Sequence, residues 1–368
     1  MNSPSEMWYS ITNEEVVFTP SVLIYQERVR SNLQQMIELA GGTSRLRPHV
    51  KTHKIPELIA LQIELGIEKF KCATLSELEM VAQQGGKDIL LAYPLLGPAI
   101  EYFLKLCKRF PSVKFAVTVD SYEAATALNT ASAQAGLTTA VFVDLDNGMH
   151  RTGIAPKQAL QLIQAIQTYR NLEFSGLHVY DGHIHSADFG ARKQQTEQDF
   201  KSVEDLVATL QQQGISVGEL ACGGTPTFPV HIQHPDRTLC PGTPVFWDEG
   251  YTHEMPELKF QPAAVIATRV ISKPNGYICF DLGYKALASE MPHPRLRFLD
   301  LSIDEVINHS EEHLVIKSKQ ASELSIGQLV YGIPKHVCPT IALHERVYVV
   351  NQQEVVKTWQ VAARKRIY

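Results

Sequence analysis

Residues 141–180 read VFVDLDNGMHRTGIAPKQALQLIQAIQTYRNLEFSGLHVY, and their texture changes twice. An apolar run at 141–145 gives way to a short polar loop. The segment 157–169 then places Ala159, Leu162, Ile163 and Ile166 on one helical face, and a second apolar run covers 174–180. Apolar residues three and four apart mark a helix packed on one side, whereas short continuous apolar runs suit strands buried on both faces. Strand, loop, helix and strand in this order form a βαβ unit.

Working outward, the same alternation repeats. Strands are expected at 46–50, 70–73, 89–92, 115–119, 141–145, 174–180, 220–222 and 238–241, with helical segments such as 75–84, 122–135 and 196–213 between them. Thr74-Leu75-Ser76-Glu77 and Asp120-Ser121-Tyr122-Glu123 carry helix-capping chemistry. Eight strands alternating with helices predict a closed parallel (β/α)8 barrel rather than an open doubly wound sheet. After residue 255 the helical period fades. Runs at 263–272, 277–281 and 328–333, a hairpin pattern at 346–359 and the turn Pro274-Asn275-Gly276 predict an antiparallel β domain. The chain is therefore expected to be α/β in two domains, a barrel at 21–254 and a β domain at 255–368 joined by residues 1–20. Val16-Val17-Phe18 are expected to pair into the latter.

The chain length of 368 residues agrees with two domains at roughly 150 residues each. Lys plus Arg number 34 against 39 Asp plus Glu, a net charge of −5 that gives no footprint for nucleic acid or an anionic membrane. The first 20 residues lack a basic segment followed by an apolar core, and the six cysteines have no CxxC spacing, so a soluble cytoplasmic protein with reduced thiols is expected. The fourteen histidines are the informative excess. In a (β/α)8 barrel the chemistry sits at the C-terminal ends of the strands. Six histidines fall there: His49, His53, His150, His178, His183 and His185.

The ends of strands seven and eight read Cys222-Gly-Gly-Thr-Pro-Thr and Pro241-Gly-Thr. Glycine turns expose backbone N–H groups and Thr225 and Thr243 add hydroxyls, at the usual phosphate position of this fold. A lysine at the end of strand one, Lys51, together with a phosphate there suggests pyridoxal phosphate, because lysine forms a reversible Schiff base with its aldehyde. Lys54 reads as a solvated or helix-start charge.

With these residues in hand the chain resembles the fold-type III pyridoxal-phosphate enzymes, the alanine racemase-like barrels, and within them the D-threonine aldolase and D-serine dehydratase branch. The motifs that carry the resemblance are Arg47-Pro-His-Val-Lys-Thr-His-Lys, Asn147-Gly-Met-His-Arg-Thr-Gly, Cys222-Gly-Gly-Thr-Pro-Thr, Asp281-Leu-Gly-Tyr-Lys-Ala-Leu and His336-Val-Cys-Pro-Thr, which span most of the chain. The resemblance implies that Lys51 bonds the cofactor aldehyde and that Arg151 faces its phenolic oxygen. It implies that Tyr180 approaches the pyridine nitrogen and that Gly223, Gly224, Thr225, Gly242 and Thr243 hold the phosphate. His336 and Cys338 are implied as ligands of a divalent metal, zinc or manganese. Alternate residues on a strand-like segment would point them to one face, and imidazole with thiolate suits an open zinc site.

The resemblance thus implies a metal-dependent lyase of D-3-hydroxy amino acids. Removal of the hydroxyl proton, by His183 or His185, gives retro-aldol cleavage of a D-threonine-like substrate to glycine and an aldehyde. Removal of the Cα proton gives β-elimination to a keto acid and ammonia, the D-serine or D-threonine dehydratase reaction. Aldolase members tend to carry His-x-Asp at the metal position and dehydratases His-x-Cys, so Cys338 points to elimination, whereas the Tyr180-Asp-Gly-His loop and the Pro-Thr after Cys338 point to the aldolase group. The aldolase reading is preferred. A racemase on the same barrel would need no metal, and a non-catalytic pyridoxal-phosphate carrier would not need the β domain. The resemblance also implies a homodimer.

Overall fold

The stretch 141–180 folds as a βαβ unit. Thr139–Leu145 is a strand buried at every position, Pro156–Thr168 is a helix that buries Ala159, Leu162, Ile163 and Ile166, and Leu172–Val179 is the next strand. A computed structural model describes residues 7–367 and divides them into two compact units. One takes the described residues through Gln35, Thr52–Glu57 and Thr243–Arg364; the other takes Met36–Lys51, Leu58–Gly242 and the residues from Lys365. Residues 1–6 of the expected β-domain segment, and Tyr368, lie outside the described residues. No helix among the described residues is long and apolar enough to cross a membrane.

In chain order, strand β1 (Ser21–Tyr25) belongs to the first unit. The second unit holds β2 (Lys69–Cys72), β3 (Asp88–Leu91), β4 (Lys114–Val119), β5 (Thr139–Leu145), β6 (Leu172–Val179), β7 (Glu219–Cys222) and β8 (Thr238–Leu239), a parallel sheet in sequence order. The expected strand at 46–50 makes only isolated bridges, Leu46 to Leu239 and His49 to Lys71, and these link β8 to β2 and close the ring. Pro48 is the reason. It has no N–H to donate and contributes only its carbonyl, which accepts the Lys71 N–H at 3.0 Å. Val50–Thr52 then turns as a 3₁₀ helix, so Lys51 stands on a turn rather than extending a strand. The expected caps form: Thr74 accepts from Glu77 N and Ser121 from Ala124 N.

Inside the ring Leu90, Ala116, Ala140, Phe142, Ala221 and Cys240 pack as one cluster. The N-terminal end of the sheet is plugged by Arg47, 1% exposed, whose guanidinium meets Glu219 at 2.6 Å and Asp88 at 2.9 Å, the residues that open β7 and β3. Burial acts to weaken the protonated guanidinium, but the two carboxylates outweigh it and raise its pKa. Burial likewise acts against the Glu219 carboxylate, yet Arg47 and Lys69 hold its pKa below the usual value. With charge concentrated at this end, the C-terminal strand ends are left for chemistry.

The first unit contains β9 (Ala264–Ser272), β10 (Tyr277–Phe280), β11 (Leu296–Phe298), β12 (Glu305–His309), β13 (Leu314–Lys317), β14 (Leu329–Pro334), β15 (Arg346–Asn351) and β16 (Glu354–Gln360). Its sheet is mixed rather than wholly antiparallel, because β1 lies between β9, antiparallel to it, and β15, parallel to it. The Val16-Val17-Phe18 segment does not pair: Glu14–Val16 is a 3₁₀ turn and Phe18 is exposed. Pairing begins at Ser21, after Pro20. Val17 instead packs with Leu23, Val265, Tyr331 and Tyr348 in the core of this unit.

Candidate active site

Arg151 is carried by the loop that follows β5, and that loop is tied at both ends. Ile154 N donates to Asp144 O at 2.9 Å and Asp146 N to Ile154 O at 3.0 Å, so the loop returns along its own strand. The Asp146 carboxylate accepts from the backbone N–H of Gly148 and His150, and Gly153 N donates to Asp120 at 3.0 Å. This frame holds the Arg151 guanidinium 4.9 Å from the centroid of the Tyr180 ring. Two more cations approach the same ring: Lys51 Nζ at 5.8 Å and Lys71 Nζ at 5.5 Å. Cations gather on an aromatic face because its quadrupole attracts them.

Tyr180 itself is seated by glycine. A Cβ on Gly182 would lie 2.3 Å from the phenolic oxygen and one on Gly224 would lie 3.1 Å from the ring, so both positions must stay bare for the ring to sit as it does. The glycine loop is fixed by Gly223 N donating to Val179 O at 2.8 Å and Gly224 N to Thr227 Oγ1 at 3.4 Å. Gly242 N donates to Thr225 Oγ1 at 3.3 Å, which joins the loops after β7 and β8. Within the barrel unit the structure thus brings Lys51, Arg151 and Tyr180 together, and separately links Gly224 to Tyr180, Gly223 to Val179 and Thr225 to Gly242.

The sequence reading missed the groups beneath. Lys71 projects from β2 and is 1% exposed. Its Nζ is 3.5 Å from His178 Nε2, and His178 Nδ1 is 2.6 Å from Asp144 Oδ1. Burial pushes the His178 pKa down, with Lys71 and Arg151 adding to the effect against the pull of Asp144. Burial acts the other way on Asp144, but His178, Thr152 and Lys71 outweigh it and hold its carboxyl below the usual range. A neutral imidazole therefore sits between an ammonium and a carboxylate. The missed signal was Lys69 and Lys71 two apart in the strand Lys69–Cys72: both must face the same side, and the interior demands a reason. Asp181 is a second hidden hub. Fully buried, it accepts from Thr227 Oγ1 at 2.6 Å and meets His231 Nε2 at 2.7 Å, which braces the glycine loop from behind.

The other histidines separate by environment. His150 is exposed and paired with Asp146. His183 Nε2 meets Asp199 at 3.0 Å, while its Nδ1 is buried with no hydrogen-bond partner; His185 is exposed. In the first unit His53 accepts from Ile55 N, and burial pushes its pKa down to about 3. It is a neutral structural group.

His336 and Cys338 also lie in that unit, on a helix start rather than a strand. His336 is the N-cap of helix Val337–Leu343, and Cys338 falls in its first turn. Pro339 suits that turn because the N–H that proline lacks would have no intrahelical partner there. His336 Nδ1 is 2.6 Å from Glu290 Oε1. The Cys338 thiol donates to Thr52 Oγ1 at 3.2 Å and lies 3.8 Å from Thr243 Oγ1. Asp248 accepts from Val337 N at 3.0 Å, and its burial pushes the carboxyl up to about 6. Burial acts to lower the His336 pKa, but Cys338, Asp248 and Glu290 raise it to about 9. Thr243 is therefore placed beside the thiol, while Gly242, next to it in the chain, bonds to Thr225. In the remaining motif Asp281 is structural, accepting from Thr268 and from Arg269 N, and Lys285 is an exposed partner of Glu311 and Glu312.

The family model of the alanine racemase N-terminal domain matches residues 24–246, and that of a putative serine dehydratase domain matches residues 263–350. The D-threonine aldolase of Arthrobacter sp is 27% identical over 355 residues, 95% of this chain and 93% of that protein. The D-serine dehydratase of Dictyostelium discoideum is 26% identical over 388 residues, 92% of this chain and 94% of that one. The crystal structure of D-threonine aldolase from Filomicrobium marinum matches with a TM-score of 0.88 at 27% identity, covering 96% of each chain.

Proposed function

This chain belongs to the alanine racemase N-terminal domain family, and on that footing we propose that it is a pyridoxal-phosphate-dependent lyase of D-3-hydroxy amino acids, cleaving D-threonine-like substrates to glycine and an aldehyde. The observation that carries this reading is the set of three cations, one of them Lys51, around the Tyr180 ring beside a side-chain-free glycine loop. Such a donor set fits an anionic aromatic aldehyde. Lys51 is the residue that would hold the aldehyde, Arg151 and Tyr180 the ring, and Gly223, Gly224, Thr225, Gly242 and Thr243 the phosphate. Bound there, pyridoxal phosphate supplies an electron sink for negative charge at the substrate Cα.

The imidazole of His336 and the thiol of Cys338 fit a borderline-soft divalent ion whose remaining positions are open, zinc before manganese. Held by these two, the ion supplies Lewis acidity to a β-hydroxyl. Glu290 orients His336 by taking its other ring nitrogen, as carboxylates commonly do for metal-binding histidine. For the hydroxyl proton we assign His183 rather than His185: Asp199 fixes its Nε2 and leaves Nδ1 as the acceptor. The homodimer and cytoplasmic setting expected from the sequence belong to the same proposal.

A second reading, β-elimination to a keto acid and ammonia, is favoured by the thiol at position 338 and by the resemblance to a D-serine dehydratase. Product analysis with D-threonine and D-serine, with and without added Zn²⁺ or Mn²⁺, separates the two. Glycine and acetaldehyde support the aldolase; 2-oxobutanoate or pyruvate with ammonia supports the dehydratase; neither product refutes both.

A further inference from the structure

Lys71 is a buried charged group of the barrel unit that the function above counts among the cations around Tyr180 but gives no role of its own. An ammonium carries three donors and no acceptor. One donor addresses His178 Nε2 at 3.5 Å and another the carbonyl of Gly223 at 3.4 Å, with the Tyr180 face 5.5 Å away. Because the ammonium can only donate, His178 accepts at Nε2 and must carry its proton on Nδ1, which donates to Asp144 Oδ1 at 2.6 Å. The other Asp144 oxygen accepts from Thr152 Oγ1 at 2.8 Å, and Thr152 is the residue after Arg151. One continuous chain of hydrogen bonds therefore runs from the glycine loop through Lys71, His178 and Asp144 to the Arg151 loop. Its Lys71 member lies 5.5 Å from the centroid of the Tyr180 ring.

Filling space does not require this arrangement. A methionine occupies nearly the same volume without the cost of desolvating an ammonium. What lysine adds is a fixed charge and directed donors. We propose that Lys71 is a positioning residue of the cofactor site: its ammonium ties the glycine loop to the Arg151 loop and fixes the His178 tautomer, so that the cationic cradle around Tyr180 is preformed for pyridoxal phosphate. This rests on the reading of the site given above, and the experiment keeps the two apart.

Purified apo protein is titrated with pyridoxal 5′-phosphate by absorbance, and its thermal midpoint is recorded without cofactor, for the unaltered chain and for Lys71→Met, Lys71→Arg and Thr152→Val. If the unaltered chain takes up no pyridoxal phosphate, the underlying reading fails whatever Lys71 does. If it binds, Lys71→Met is expected to bind about 10- to 100-fold more weakly, the weight of a charge-assisted hydrogen bond. Its cofactor-free midpoint should be equal to or above that of the unaltered chain, because a buried charge has been removed. Lys71→Arg should recover part of the affinity. Thr152 is exposed, so Thr152→Val tests the far end of the chain even if Lys71→Met does not fold, and is expected to weaken binding about 3- to 10-fold. Affinity unchanged in Thr152→Val and in every folded Lys71 variant overturns the proposal. So does a Lys71→Met protein whose weaker binding is matched by a lower cofactor-free midpoint, since that is the mark of a packing role alone.

Discussion

Glu219→Gln tests how the barrel is closed at the end away from its chemistry. The change keeps volume and removes one charge. Glu219 accepts from Arg47 Nε at 2.6 Å and Nη2 at 2.9 Å, and from Lys69 at 2.9 Å. Lys69 is one-third exposed and can turn to water; Arg47, 1% exposed, cannot. Removing one partner of a buried pair costs about 3–5 kcal/mol, and here Asp88 remains at 2.9 Å from the same guanidinium, which brings the expectation to about 2–4 kcal/mol. For a unit of this size that is a fall of roughly 4–16 °C in midpoint, at about 2–4 °C per kcal/mol. The dependence on acid should change with it. The Glu219 carboxyl has a depressed pKa in the fold, so its contribution is fully present above the usual carboxylate pKa and is lost as pH falls through the folded value. Differential scanning fluorimetry from pH 7 to well below the usual carboxylate pKa should therefore show the unaltered protein and the Glu219→Gln variant keeping their difference down to that pKa and converging only below it. A double change that also replaces Arg47 by Met should cost less than the sum of the two single changes. A Glu219→Gln variant whose midpoint lies within about 1 °C of the unaltered protein at pH 7 would refute the claim that this ion cluster closes the ring.

Other outcomes can be checked directly. Lys51→Ala should abolish both turnover and the visible absorbance of the lysine-bound cofactor, and a variant that keeps both removes Lys51 from the reaction. Glu290→Gln should weaken zinc binding about 10- to 100-fold in competition with a chromogenic chelator, since a partner behind a metal-binding histidine has that weight; an unchanged affinity means that Glu290 does not orient His336. Gly148 has φ +130°, and a Cβ there would lie 2.6 Å from His183 Nε2. Gly148→Ala is therefore expected to lower stability by about 1–3 kcal/mol in urea unfolding, and no shift would show that the loop relaxes freely. His183→Gln should slow D-threonine cleavage by about 10²–10⁴-fold while His185→Gln changes it little; the reverse order moves the base to His185.

The barrel was legible because most buried parallel strands are short, largely apolar runs and the helices between them show an apolar face, patterns that a few residues suffice to define. The expected span 46–50 is the instructive exception: its apolar pattern marks a place in the ring, but Pro48 denies it a ladder. Val16-Val17-Phe18 carried a strand-like pattern too, yet Val17 packs as a core plug, and pairing starts beyond Pro20. His336 and Cys338 do share a neighbourhood, but through a helix start, because alternation in sequence does not distinguish a strand from the first turn of a capped helix. The groups around Lys71, His178 and Asp144 were out of reach for a different reason. Asp144 and His178 stand opposite each other in the register of β5 and β6, and Lys71 reaches them from β2 across the ring interior. Such proximity depends on closure, and its local trace is confined to the two lysines, Lys69 and Lys71, on one face of β2.

The placing of β1 also has a consequence for how the chain is made. β1 leaves the ribosome early, but its neighbours in the sheet are β9 and β15, whose paired residues such as Val265 and Tyr348 emerge some 240 and 325 positions later. At synthesis rates of about 5–20 residues per second, β1 waits tens of seconds with two unpaired edges. Met36–Lys51 and Leu58–Gly242 belong to the barrel unit and can collapse in the meantime, since they are synthesised before β9 appears. Translation thus imposes an order: the unit that contains the first strand is the last to finish. A nascent chain stalled before residue 346 would display an apolar strand, Ser21–Tyr25, with no parallel partner, an edge open to pairing with other chains.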